Sequence, residues 1–117
     1  MINKVILLGN VGKDVDVKTL ESGLKVAITT LATNESYKNK KNGEKHTITE
    51  WHNLEFIGNV AEIVEKYVKK GDPIYVEGKI KTTKYNEKYY TKILVNDYNG
   101  VIKMLGSKNE TQTDMPF

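Results

Sequence analysis

Lysine and tyrosine are interleaved in residues 79–92, which read K-I-K-T-T-K-Y-N-E-K-Y-Y-T-K. The segment holds five lysines and three tyrosines on two predicted strands joined by a turn at Asn86 and Glu87. A lysine can hold a phosphate while a neighbouring tyrosine stacks on a base, and a single strand offers a base face at every nucleotide. The pattern favours sequence-tolerant binding of single-stranded nucleic acid. A solvated hairpin with a lysine-protected edge and core-facing tyrosines fits it equally well, and the segment alone leaves both open.

The elements that would position these residues are mostly strands. Apolar or alternating runs rich in β-branched residues indicate five strands. They occupy residues 2–8, 25–33, 49–57, 74–82 and 89–95, with a further short apolar segment at 101–105. In the second strand, Val26, Ile28, Thr30 and Ala32 share one face. The polar residues 38–48 predict a long hairpin loop whose lysines either wrap a nucleic-acid backbone or are merely solvated.

The third strand contains the only tryptophan of the chain. Alternation puts Leu54 and Phe56 on the face that enters the core and Trp51 on the opposite, wetter face with Asn53 and Glu55. An outward tryptophan usually has a partner. That partner is a base, another subunit or a covering loop.

One helix is predicted between the third and fourth strands. Its apolar residues recur at helical spacing at Val60, Ile63, Val64, Tyr67 and Val68, so we expect Tyr67 in the core. Asn59 is the predicted cap with Glu62 three residues later, and the G-D-P sequence at 71–73 is the predicted stop.

In the fourth strand, alternation separates an apolar face from a basic one. Ile74, Val76, Gly78, Ile80 and Thr82 share the first face. Tyr85 shares the opposite face with Lys79 and Lys81. Tyr89 and Tyr90 lie on opposite faces of the next strand, so at most one of them joins Tyr85, and we expect the other to pack.

The composition limits the class of protein. The 117 residues, 38% of them hydrophobic, suit one domain with a modest core. The absence of cysteine excludes a disulfide framework and a thiolate metal site, and residues 1–8 are too short and mixed for a secretory signal. No apolar run approaches the roughly 20 residues that span a bilayer. We expect a soluble cytoplasmic protein without a membrane partner, in the nucleoid or in the cytoplasm of a phage host.

The charge is unevenly distributed along the chain. The net charge is +3, with an acidic end at residues 106–117 that follows a basic body. All 18 cationic residues are lysine, so the arginine fork that reads guanine edges is absent. This argues against strong recognition of base edges. A source genome whose composition favours Lys, Asn and Ile codons would explain the absence of arginine equally well.

The order of five strands with a helix between the third and fourth matches the OB-fold, a five-stranded Greek-key barrel. Four segments in this order resemble bacterial-type single-stranded DNA-binding protein, and the similarity covers residues 2–106. The segments are N-K-V-I-L-L-G-N-V-G-K-D at 3–14, L-A-T-N-E-S-Y at 31–37, T-E-W-H at 49–52 and Y-V-E-G-K-I-K-T at 75–82. The fold class implied is all-β, with an OB domain at 1–106 and a flexible acidic tail at 107–117.

The resemblance implies specific binding residues. The family's base-stacking positions fall on Tyr37, Trp51 and Tyr85. A fourth position, phenylalanine in the family, is Ile57 here, so we expect weaker binding there. We assign the phosphate contacts to lysines of the first strand, the long loop and the fourth strand. These lysines are Lys4, Lys40, Lys41, Lys79, Lys81 and Lys84.

The resemblance also implies protein partners. The family is typically a homotetramer, and His52 aligns with a histidine near a dimer contact, consistent with assembly through the first strand at Asn3 and Val5. The end of the chain resembles the family's acidic tip, which docks into replication, recombination and repair proteins. In that role Phe117 would fill an apolar pocket, while Asp114 and the terminal carboxylate would meet basic residues. The tip consists of Asp114, Met115, Pro116 and Phe117.

Catalysis has little support in the sequence. His46 and His52 are six residues apart, and we find no H-x-x-x-H motif. We therefore expect a non-enzymatic protein without metal or cofactor. The alternative is a primosomal or RNA-binding OB-fold protein that uses the same stacking chemistry.

Overall fold

The computed structural model describes residues 1–98 and 100–105. Within them the chain forms seven strands and one helix. In chain order these are β1 (Val5–Val11), β2 (Asp16–Thr19), β3 (Lys25–Lys38), β4 (Lys45–Ile57), α1 (Asn59–Tyr67), β5 (Pro73–Tyr85), β6 (Lys88–Asn96) and β7 (Val101–Met104). The predicted tail at 107–117, with its tip Asp114, Met115, Pro116 and Phe117, lies outside the described residues.

Five of the strands close into a barrel. β1 pairs with β3 and β5, β3 pairs with β4, and β5 pairs with β6, all antiparallel, while β4 and β6 pair in parallel. The circuit therefore runs β1, β3, β4, β6, β5 and back to β1. β2 and β7 are short additions beside β3 and β5. The predicted five-stranded OB-fold is confirmed.

The barrel is filled from alternate strand positions. Its largest fully buried side chains are Phe56, Leu31, Leu54, Ile74, Val64, Val76, Val95 and Thr29. Thr29 Oγ1 donates a hydrogen bond to the Lys13 carbonyl oxygen at 2.7 Å, which satisfies its buried hydroxyl. On β3 the fully buried side chains are Ala27, Thr29 and Leu31, on the face opposite to Val26. Because both faces of this strand carry apolar residues, alternation alone does not tell which one enters the barrel.

The helix forms where the sequence predicts it, but both its cap and its surface differ from expectation. Asn59 makes no side-chain cap; instead the Asp97 carboxylate accepts hydrogen bonds from the Asn59 and Val60 backbone N–H groups, each at 3.0 Å. Gly58 permits this approach, since its φ is 95° and a Cβ there would lie 2.3 Å from Asp97 Oδ2. Tyr67 is 56% exposed, so the expectation that it lies in the core is wrong.

The β3–β4 hairpin is longer, and its loop shorter, than predicted. The two strands pair without interruption from Val26 and Ile57 to Lys38 and Lys45, which leaves residues 39–44 as the loop rather than 38–48. The polar residues that resemble a loop in sequence bond across the strands, as where Thr49 Oγ1 donates to Asn34 Oδ1 at 2.6 Å. We call residues 34–49 the distal ribbon, most of whose residues are exposed.

Candidate nucleic-acid interface

The outward sides of β4, β5 and β6 carry aromatic and lysine side chains on one surface. Lys81 lies opposite Lys92 and Thr83 opposite Tyr90, on the face turned away from the buried Val95. Since β4 runs parallel beside β6 in matching register, Trp51 lies on this face too. We call the surface the aromatic–lysine face; its members are Trp51, Tyr85, Tyr90, Lys79, Lys81 and Lys92.

One side of the Trp51 ring packs against the protein and the other is exposed to solvent. The register places it opposite Ala32 on β3, and its side chain is 61% exposed. A Cβ on Gly12 would lie 2.4 Å from the Trp51 Cζ3 atom, so the indole lies directly against the Gly12 backbone. Gly12 is fixed there because its N–H donates to the Thr30 carbonyl at 2.9 Å. The segment after β1 therefore supports the ring without covering it, and the ring is available for stacking.

A depression of about 160 Å³ lies beside Trp51, between β4 and β6. It is lined by Trp51, His52, Asn53, Thr91, Lys92 and Ile93. The Lys92 ammonium contacts Glu55 Oε1 at 2.7 Å, so a carboxylate already compensates part of this charge. Lys92 is thus less available to a phosphate than a lysine without such a contact.

The β5–β6 hairpin confirms Tyr85 as an exposed ring on the basic side. Asn86 and Glu87 have φ values of 49° and 64°, the two-residue turn that matches strand twist, and Tyr85 is 66% exposed beside it. Tyr90 belongs to the same face. Tyr89 lies opposite Lys84 on the other face and is exposed as well, so the expectation that one of these two tyrosines packs is wrong.

Lys84 differs from the other predicted phosphate-binding lysines of β5. It lies on the opposite side of the strand from Lys79 and Lys81, and its ammonium is 5.7 Å from the centroid of the Tyr89 ring. This is within cation–π distance. The hairpin therefore offers cations on both of its faces.

Tyr37 is separated from Trp51 by the β3–β4 register. Tyr37 lies opposite His46, and this pair points to the opposite face of the two strands from the pair formed by Ala32 and Trp51. The Tyr37 and His46 rings stack with centroids 5.3 Å apart and planes 24° apart. The predicted stacking residues thus occupy two places, the aromatic–lysine face and the distal ribbon. The sequence does not predict the contact of His46 with Tyr37, because that contact depends on the hairpin register and the polar residues of this segment resemble a loop rather than two paired strands.

The other predicted binding residues lie at the edges of these surfaces. Ile57 is half-buried at the end of β4, opposite Val26 on β3 and beside β6. Lys40 and Lys41 are exposed in the loop of the distal ribbon. Lys4 instead forms an ion pair with Glu77, at 2.9 Å between Nζ and Oε1.

Glu77 is the centre of a small polar cluster on the outward side of β1 and β5. The Tyr75 hydroxyl donates a hydrogen bond to its carboxylate, and Lys4 donates a second. The hydrogen bond from Tyr75, and after it the one from Lys4, lower the pKa of Glu77. The hydrogen bond to Glu77 in turn raises the pKa of Tyr75. The carboxylate therefore stays charged to lower pH than an ordinary glutamate, and it competes with phosphate for Lys4.

The three predicted subunit-interface residues all have contacts within the chain. Val5 packs against the core, and Asn3 bonds the Ile80 backbone through both its amide nitrogen and its oxygen. His52 Nε2 lies 2.8 Å from Thr33 Oγ1. The apolar side chains of β1 that point outward are instead Ile6 and Leu8, both exposed.

Among residues 1–98 and 100–105, no group of histidine, cysteine and acidic side chains could hold a metal ion. No helix in the same residues is long and apolar enough to cross a membrane.

Comparison with known proteins identifies the family. Residues 2–100 match the model of the Single-strand binding protein family. The chain belongs to this family. Family membership agrees with single-stranded DNA as the ligand of exposed aromatic rings among lysines.

Solved structures of this family share the fold. A structure of Plasmodium falciparum SSB in complex with ssDNA has a TM-score of 0.83 and 34% sequence identity, covering 90% of this chain and 96% of that one. A deletion mutant and the wild-type single-stranded DNA binding protein of Thermus aquaticus have TM-scores of 0.75 and 0.74, with 22% and 21% identity. Each match covers 92% of this chain and 52% of theirs, so the chain spans about half the length of the Thermus proteins.

Proposed function

We propose that this protein binds single-stranded DNA without sequence preference and protects it during DNA replication, recombination and repair. The observation that carries the proposal is the aromatic–lysine face, where Trp51 and Tyr85 are exposed among lysines on one side of a closed OB barrel. Membership of the Single-strand binding protein family supports it. That family binds DNA rather than transforming it, and we propose that this chain likewise has no enzymatic activity.

Two weak forces account for binding. Each base that stacks on an exposed ring contributes roughly 1–3 kcal/mol, whatever its identity. Lys79 and Lys81 contribute the electrostatic part, and each phosphate they neutralise releases counterions and steepens the salt dependence. Because no arginine fork is present to read guanine, the contacts are tolerant of sequence.

The test is a competition assay with labelled oligo-dT. Unlabelled single strands of mixed composition should displace it about as well as oligo-dT, a duplex of equal length should displace it poorly, and log affinity should fall linearly with log salt. Equal competition by duplex, or a strong preference for one base sequence, would contradict the proposal.

We further propose that the chain assembles as a homotetramer. The outward residues Ile6 and Leu8 form an exposed apolar strip on β1, which supports a subunit contact at that strand. Sedimentation equilibrium should give four times the 13.3 kDa chain mass. Replacement of Leu8 by lysine should lower that mass, and a wild-type monomer would refute the assembly.

Partner recruitment through residues 114–117 is the remaining part of the proposal. It rests on the resemblance of the D-M-P-F sequence to the family's acidic tip. Deletion of these four residues should leave affinity for oligo-dT nearly unchanged and abolish binding to replication and repair proteins. Loss of DNA binding on deletion would show that the tail has a different role.

A further inference from the structure

The end of the distal ribbon carries a pair of aromatic rings, only one of which the family resemblance covers. Tyr37 aligns with a stacking position, whereas the resemblance implies no role for its cross-strand partner His46. The two rings are nearly parallel, with planes 24° apart and centroids 5.3 Å apart, the offset geometry preferred by aromatic pairs. Tyr37 is 53% exposed and the His46 side chain 43% exposed, so neither is covered by the rest of the fold.

Two lysines lie at the register position next to this ring pair. Because successive pairs alternate between faces, Lys38 and Lys45 lie directly opposite each other on the other face of the ribbon, the face that also carries Trp51, and an anion beside them would relieve the repulsion of these like charges. Together with Ser36 and Tyr37 they line a depression of about 350 Å³. The nearest carboxylate to His46 is that of Glu44, 3.8 Å from Nε2. Rings on one face and lysines at the next position on the other suit a base stacked at the end of the ribbon and a phosphate bound at its edge.

We propose that His46 is a second base-stacking residue, which forms with Tyr37 a two-ring platform at the end of the distal ribbon. Lys38 and Lys45, at the next register position on the other face, hold phosphates where the strand passes around the edge of the ribbon. The platform lies on the face of the β3–β4 ribbon opposite to Trp51. A strand that engages both therefore passes around the edge of the ribbon, and each chain binds more nucleotides than the aromatic–lysine face alone accommodates. This inference rests on the single-stranded DNA binding proposed above.

Three variants separate stacking by His46 from a structural role. His46→Ala removes the ring and should weaken oligo-dT binding about five-fold, the lower end of the range for one stacked base. His46→Phe keeps a ring that can stack and should bind within about two-fold of wild type. The double variant with Tyr37→Ala and His46→Ala should lose more affinity for oligo-dT than either single variant. The salt dependence should not change with His46→Phe, since stacking neutralises no phosphate.

Nuclear magnetic resonance of the imidazole protons gives a direct readout in the wild-type protein. The chain has two histidines, His46 and His52. Saturating oligo-dT should shift the His46 ring protons upfield, as a base stacked over them would. The His46→Ala variant assigns the two sets of signals.

Failure of this inference can be distinguished from failure of the proposed function. Wild-type affinity in His46→Ala, equal loss in His46→Ala and His46→Phe, or unshifted His46 protons at saturation would each overturn the two-ring platform. If Trp51→Ala weakens binding under the same conditions, single-stranded DNA binding itself still stands. A wild-type protein that does not bind oligo-dT would refute both.

Discussion

Gly12 fixes the position of Trp51, the proposed principal stacking ring, and adding one methyl group there should weaken DNA binding. In Gly12→Ala the new Cβ would lie 2.4 Å from Trp51 Cζ3 and 2.6 Å from Thr30 Oγ1. Ordinary carbon–carbon contact needs about 3.5 Å, so the indole must move by about 1 Å. Both close atoms belong to side chains, and the φ of Gly12 lies outside the left-handed region, so the barrel can accept the change.

The size of the effect follows from the distance dependence of dispersion. A gap of 0.5–1 Å forfeits about a quarter to a half of a van der Waals contact. Applied to a stack of about 2 kcal/mol, the middle of the range for one base, a displaced Trp51 loses about 0.5–1 kcal/mol, or about two- to five-fold in affinity. The assay is fluorescence anisotropy of labelled oligo-dT at fixed salt.

A double-mutant cycle with Trp51→Ala decides whether Gly12 acts through the ring. Once the indole is gone, Gly12→Ala has nothing left to displace and should change affinity by less than about 0.5 kcal/mol. Wild-type affinity in Gly12→Ala, or the same loss with and without Trp51, would refute the argument that the Gly12 backbone positions the ring.

Three further predictions concern other parts of the molecule. Tyr85→Ala should weaken oligo-dT binding by about five-fold or more, whereas Tyr67→Ala, an exposed tyrosine on α1, should not, as the same anisotropy assay will show. Asp97→Ala removes the carboxylate that caps α1 and should cost about 1 kcal/mol of unfolding free energy in urea denaturation, with no loss in Asp97→Ala indicating that water replaces the cap. Glu77→Gln should be less stable than wild type at neutral pH. Because the pKa of Glu77 is lowered in the folded state, its carboxylate contributes fully to the free energy of unfolding above the ordinary carboxyl pKa of about 4.3. This contribution disappears as the pH falls through the lowered pKa. A stability difference between Glu77→Gln and wild type that persists in stronger acid would contradict the role of the Glu77 charge.

Local alternation predicts the outward tryptophan well. Leu54 and Phe56 must be buried, so residues an odd number of positions away from them face outward, and the orientation of Trp51 follows from the sequence of one strand. Tyr85 is predictable for a similar reason, because it lies next to a two-residue turn on a strand with a clear apolar face.

The remaining features depend on contacts between residues distant in sequence. His46 pairs with Tyr37 only because polar residues form strands across the distal ribbon, where the sequence resembles a loop. The cap of α1 comes from Asp97, 38 residues beyond Asn59, and outweighs the local preference of Asn59 for a cap position. The support of Trp51 by Gly12 likewise joins β4 to the segment after β1.

The most direct test of single-strand binding by base stacking is a titration of Trp51 fluorescence, the signal of the only tryptophan in the chain. Oligo-dT should quench this emission strongly, oligonucleotides of other base composition should quench it to a similar extent, and a duplex of equal length should change it little. Unchanged emission at saturating oligo-dT, or equal quenching by duplex, would contradict the proposal that Trp51 stacks on the bases of single-stranded DNA.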